Sequence, residues 1–141
     1  MTFDTDNEVV KLCAEGMAAE ASGEMTQAKS FFLRAWEQAE SDFEKFIAAH
    51  YVARHQENAE ETLHWNLLAL THAQQLGDEN LKMYLPSLYL NIGKSYEDLQ
   101  RKPDAIANYK LAEQNSIYLS GDAYGDMIRF GIKGALKRMR V

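Results

Sequence analysis

Apolar residues recur along this chain at helical rather than strand spacing, and polar or glycine breaks cut the pattern into seven segments. Val9, Val10, Leu12, Cys13, Gly16, Met17 and Ala19 form the first, ended by Ser22-Gly23. Thr26 is positioned to cap the second, where Ala28, Phe31, Phe32, Ala35 and Trp36 follow one another at helical intervals. Ser41 or Asp42 opens a third helix, FEKFIAAHYVARHQ, and a polar stretch at 57–61 separates it from a fourth, TLHWNLLALTHAQQLG, closed by Gly77. Two more follow between Tyr89 and Ala112. Gly121-Asp122 starts a last helix, with Met127, Ile128, Ile132, Ala135, Leu136 and Met139 along one apolar face. The pattern predicts an all-α chain.

The segments also repeat. Gly16 and His50 stand in register 34 residues apart, and Ala28, Phe32 and Ala35 recur in kind at Ala105, Tyr109 and Ala112. The stretch YLNIGKSYEDLQRKPDAIANYKLA sets Tyr89, Ile92, Gly93, Tyr96, Ala105, Tyr109 and Ala112 at the spacing of a tetratricopeptide (TPR) helix pair, and from about Val9 onward the chain resembles that family. The resemblance implies a right-handed α-solenoid of three TPR helix pairs and a C-terminal capping helix: repeats at about 9–40, 42–77 and 81–117, and a cap at about 121–140, in a single domain 1–141. From His50 to Gly93 the step is 43 residues, which predicts about two extra helical turns around Gly77 to Pro86, lengthening the fourth helix or the fifth. The second pair departs from the pattern, with His50 at the small-residue position, Asn66 where the aromatic is expected, and Trp65 one residue earlier.

In TPR proteins the first helix of each pair lines a concave groove. Carried onto this chain, that implies a lining of Cys13, Met17 and Glu20, then Tyr51, Arg54 and His55, then Asn91, Lys94, Glu97 and Asp98, with Ile128, Arg129 and Ile132 closing the end. Tyr51, Arg54, His55, Asn91, Lys94 and Arg129 are the binding residues expected. Arginine takes flat anions bidentately, and tyrosine, histidine and asparagine add directional hydrogen bonds. For each residue alone, packing or a surface ion pair is the competing role. The carboxylate clamp of chaperone-binding TPR proteins is incomplete: Cys13, Met17 and Ala48 occupy its first- and second-helix positions. Shifted by one repeat, Asn91 and Arg129 match the clamp, but Ile47 and Tyr51 fall where Lys and Asn belong. The long second step is loosely similar to the longer TPR variants of bacterial peptide-sensing regulators and kinesin light chain, which favours peptide or protein recognition.

Composition narrows the function classes. At 141 residues the chain has little room for a repeat module plus a catalytic domain, and its net charge of -6 disfavours a nucleic-acid partner. The acidic N-terminus does not read as a signal peptide, and no run approaches the roughly 18 apolar residues of a membrane span, so a cytoplasmic, non-membrane protein is expected. A single cysteine, Cys13, excludes an internal disulfide and reads as a small buried hydrophobe. His50 and His55 are five residues apart, off the three- or four-residue step of a helical metal pair, and HExxH, CxxC and Gly-rich phosphate loops are absent. Neither catalysis, nor a metal, nor a cofactor is expected.

Three functions remain. The first is a non-catalytic adaptor holding a protein or peptide in the concave groove. The second is a small-molecule, anion or signalling-peptide sensor with the last helix as a lid, motivated by Gly125, Gly131 and Gly134. The third is self-association, a homodimer through uncapped apolar ends at Phe3, Val9 and Val10 or at Ile128, Met139 and Val141.

Overall fold

The computed structural model describes residues 5–77 and 79–141, and nothing of Asn80 beyond its backbone. Phe3 lies outside the described residues. Seven α-helices and no strand occur among them: α1 (Glu8–Ala21), α2 (Met25–Gln38), α3 (Asp42–Val52), α4 (Ala59–Gln75), α5 (Leu85–Asp98), α6 (Lys102–Asn115) and α7 (Ala123–Met139). None is long and apolar enough to cross a membrane. The chain divides into two compact units, Met1–Leu76 and Gly77–Val141.

In the first unit α1 packs on α2, α3 on α4, and α3 also against α1 and α2. Asn7 caps α1 by accepting from the amides of Val9 and Val10 at 2.8 and 3.1 Å, and its Nδ2 donates to Glu44 at 2.8 Å. Glu44 completes a capping box with Ser41 at the start of α3, so one carboxylate ties two helix starts together. Its carboxyl is held below the usual range by the Glu40 amide, then Asn7 and the Ser41 amide. Thr26 is not the cap of α2. The amide of Glu24 returns to the Ala19 carbonyl at 2.9 Å across a turn that puts Gly23 at φ +77°, and the chain enters α2 at Met25 with no side-chain cap.

The same turn recurs in the second unit. The Arg101 amide returns to the Tyr96 carbonyl at 2.9 Å, with Gln100 at φ 60° in the place of Gly23. The correspondence runs through both hairpins. A Cβ on Gly16 would lie 2.3 Å from the Phe32 ring, and one on Gly93 would lie 2.5 Å from the Tyr109 ring. Both rings are fully buried, each sixteen residues beyond its glycine, flanked by the buried alanines Ala28 and Ala35 or Ala105 and Ala112. In the middle hairpin the corresponding positions are His50 and the buried Asn66, so bulk moves from the second helix to the first.

Two expectations are corrected here. The extra residues before Gly93 lengthen neither neighbour by two turns: α4 has 17 residues against 14 for α2, and most of the insertion is a separate 3₁₀ stretch, Glu79–Tyr84. Gly77 at φ +56° and Pro86 in the first turn of α5 bracket it, which stops either helix from running through. The apolar face of α7 also differs. Ile128, Ile132, Ala135 and Leu136 are buried against α6 and α5, but Met127 is 61% exposed, because it lies about 100° from Ile128 on the far side.

Candidate functional site

Unit 1 gathers Tyr51, Arg54 and His55 at the end of α3. Arg54 and His55 sit on a short 3₁₀ turn, Ala53–His55, that tightens the last turn of the helix and carries both side chains back toward α1. There Glu20 receives them: Arg54 Nη2 lies 3.3 Å from one carboxylate oxygen and His55 Nε2 2.7 Å from the other. The Tyr51 ring stacks on Phe32 with centroids 5.1 Å apart, His55 stacks on the same ring at 5.5 Å, and the Arg54 guanidinium stands 5.6 Å from the Tyr51 centroid. The Glu20 and His55 side chains are each 15% exposed, whereas Arg54 remains 48% exposed. Arg54 is thus half exposed while already braced by a ring and a carboxylate.

Beside this cluster His50 meets the edge of Tyr51 at 5.1 Å. Its Nδ1 is shut off from solvent with no hydrogen-bond partner among the described residues, although the residue as a whole keeps some exposure. Burial, with the charge of Arg54 adding to it, pushes the imidazole down to about 4, so it is neutral at physiological pH. His72 meets Asp42 at 2.8 Å and the edge of Trp36, and His64 meets the edge of Trp65. Each of the four histidines thus rests on an aromatic ring. Among the described residues no group of three or more His, Cys, Asp or Glu could hold a metal ion. Cys13, assigned to the groove wall by the resemblance, is buried, and desolvation raises its thiol to about 12.

The other three expected binding residues lie in unit 2. The backbone carbonyl of Asn91 accepts from Ser95 Oγ, and Lys94 pairs with Asp98 one turn along α5. Arg129 Nη2 donates to the carbonyls of Leu119 and Ser120, both at 3.0 Å, while Nη1 reaches Asp126 at 3.3 Å. Its fork therefore holds the loop that enters α7.

Two features escaped the sequence reading. The first is the bonding of Glu97, expected only as a groove lining: it accepts from Tyr109 Oη at 2.6 Å and from Arg138 through two hydrogen bonds at 3.0 and 3.1 Å. Arg138, then Tyr109, holds the Glu97 carboxyl below its usual range, opposed by burial, and burial followed by Glu97 raises the Tyr109 phenol. Glu97 occupies the position in α5 that Glu20 occupies in α1, and both take a guanidinium from the end of the following helix pair's first helix or its counterpart, α7. The second is the outer side of α7, where Phe130 is 80% exposed and Met127 61%. The clue was available in the phase of these residues, which falls opposite Ile128 and Ile132. Val9 and Ile128, expected at sticky ends, are buried instead, and Val141 is exposed.

No family model, no curated protein and no solved structure matches this chain.

Proposed function

We propose that this protein is a TPR-like helical repeat, a right-handed solenoid of three helix pairs with α7 as cap, and that it works without catalysis as an adaptor for a protein or peptide segment. The repeat reading is supported by two hairpins that share a glycine-on-ring contact, a left-handed turn residue and a carboxylate that takes the next guanidinium. Repeats of this kind present side chains from successive first helices on one side, and that side is their usual binding surface. The single observation that carries the binding site is the half-exposed Arg54, pre-ordered by Tyr51 and Glu20. Ordering a long side chain before a ligand arrives removes part of the entropy cost of binding. A guanidinium so held suits a carboxylate, from an acidic side chain or a chain terminus.

The test compares wild type with Arg54→Ala in affinity capture from a cell lysate, after both are shown to melt alike. A protein retained by wild type and lost by the variant supports the adaptor reading with Arg54 as contact. Equal retention of every captured protein removes Arg54 from the site.

A further inference from the structure

The outer side of α7 combines two features that unit 2 does not use for its own folding. Met127, Phe130, Gly134 and Lys137 follow one another at three-, four- and three-residue steps, a single stripe on the side of the helix away from Ile128 and Ile132. The apolar half of the stripe is open to water, with Phe130 and Met127 among the most exposed large hydrophobics of the described chain. At Gly134 an added Cβ would meet nothing closer than Arg138 Nη1 at 3.8 Å, so another backbone can approach the stripe there. Alongside runs an open groove of about 620 Å3 between α6 and α7, floored by Ile132, Leu136 and Val141. Lys133 and Lys137 stand on the ridge between groove and stripe, and both are exposed.

Charge selects the occupant. From Ala123 onward the chain carries five cations against the one carboxylate of Asp126, in a protein whose net charge is -6. Arg129 and Arg138 are held by their own unit, whereas Lys133 and Lys137 have no ion pair among the described residues. A second copy docking through the same stripe would offer these lysines only the carboxylate of Asp126, which Arg129 already takes, so most of the positive charge would go unmatched. We infer that the Met127–Phe130–Gly134 stripe with its Lys133 and Lys137 ridge is a docking site for an acidic amphipathic helix of a partner protein. Its apolar residues cover Phe130 and Met127, its backbone crosses at Gly134, and its carboxylates face the two lysines. This site is separate from Arg54 and stands whether or not that reading holds.

The test is selection of a displayed library of helical peptides, randomised at all surface positions, against the full chain, after sedimentation has fixed its oligomeric state. The expected result is a monomer that enriches peptides with apolar residues at i, i+3 or i+4 and i+7 beside Asp or Glu. A synthetic copy of an enriched peptide should bind about tenfold or more weakly to Phe130→Asp and lose affinity between about 50 and 500 mM salt. Phe130 is too exposed for the change to unfold the protein, which the melting curve checks. Lys133→Glu with Lys137→Glu should weaken the same peptide and restore binding when its acids are exchanged for lysines. Arg54→Ala should bind it as wild type does. A dimer abolished by Phe130→Asp would overturn the inference in favour of self-association. Failure to enrich, enrichment without acidic residues, or equal binding to Phe130→Asp would overturn it outright.

Discussion

At the scale of single residues, the two outer hairpins turn on contacts that leave no room for a methyl group. A Cβ on Gly16 or Gly93 falls 2.3 or 2.5 Å from a ring carbon that is itself fully enclosed, so ring and helix must separate to admit it. Gly16→Ala and Gly93→Ala should each cost about 1–3 kcal/mol in urea unfolding, the range of overpacked cores. Gly134→Ala is the control, since a Cβ there meets no crowding and alanine favours helix; it should leave stability unchanged or raise it by about 1 kcal/mol at most. Gln100 supplies the reverse case. It holds the left-handed conformation at φ 60° that Gly23 holds in the first hairpin, and Gln100→Gly should raise stability by up to about 1 kcal/mol, net of the glycine's extra freedom in the unfolded chain. If Gln100→Gly melts below wild type, the backbone strain assigned to this turn is absent.

Among elements, unit 2 is fastened by one carboxylate. Glu97 on α5 joins Tyr109 on α6 to Arg138 on α7, and replacing it by alanine leaves an enclosed phenol and a guanidinium without their acceptor. Glu97→Ala should cost about 2–3 kcal/mol. Arg138→Ala should cost only about 1 kcal/mol, because that side chain is half exposed and its charge is screened. A double-mutant cycle should give Glu97 and Arg138 a coupling of about 1 kcal/mol, and a coupling indistinguishable from zero would reduce the bridge to a surface pair. The helices themselves were legible in the sequence, because apolar spacing and turn residues are local: the seven segments and the stop at Gly77 match the structure, and of Ser41 and Asp42 it is Ser41 that caps α3, although α4 starts at Ala59, inside the stretch read as a break. The Glu97 clasp was not, because its partners lie 12 and 41 residues away and no periodicity marks an ion pair. The local partners of Arg129 were hidden for the same reason. A cation near a predicted groove reads as ligand-facing until the carbonyls of Leu119 and Ser120 are seen to occupy its fork.

For the whole molecule, two groups in different units oppose acid in different pH windows. His50 takes its proton near 6.5 when unfolded and near 4 when folded, so the unfolded chain binds more protons between those values and stability falls as pH drops through them. At about 1.4 kcal/mol per tenfold, the loss amounts to about 3 kcal/mol, carried by unit 1, where Tyr51 and Arg54 surround the ring. The Glu97 carboxyl is held below its ordinary value of 4.5, so its contribution is complete above that pH and is lost only as pH falls further. Acid should therefore loosen unit 1 first. Hydrogen exchange corrected for its intrinsic pH dependence should show α3 amides losing protection between pH 6.5 and about 4 while α5 amides keep theirs. His50→Leu, which removes the titrating ring while keeping an apolar filler, should flatten the loss in α3 and leave α5 unaltered. Parallel loss in both units of wild type, or an unchanged α3 profile in His50→Leu, would show that the buried imidazole does not set the acid limit of this fold.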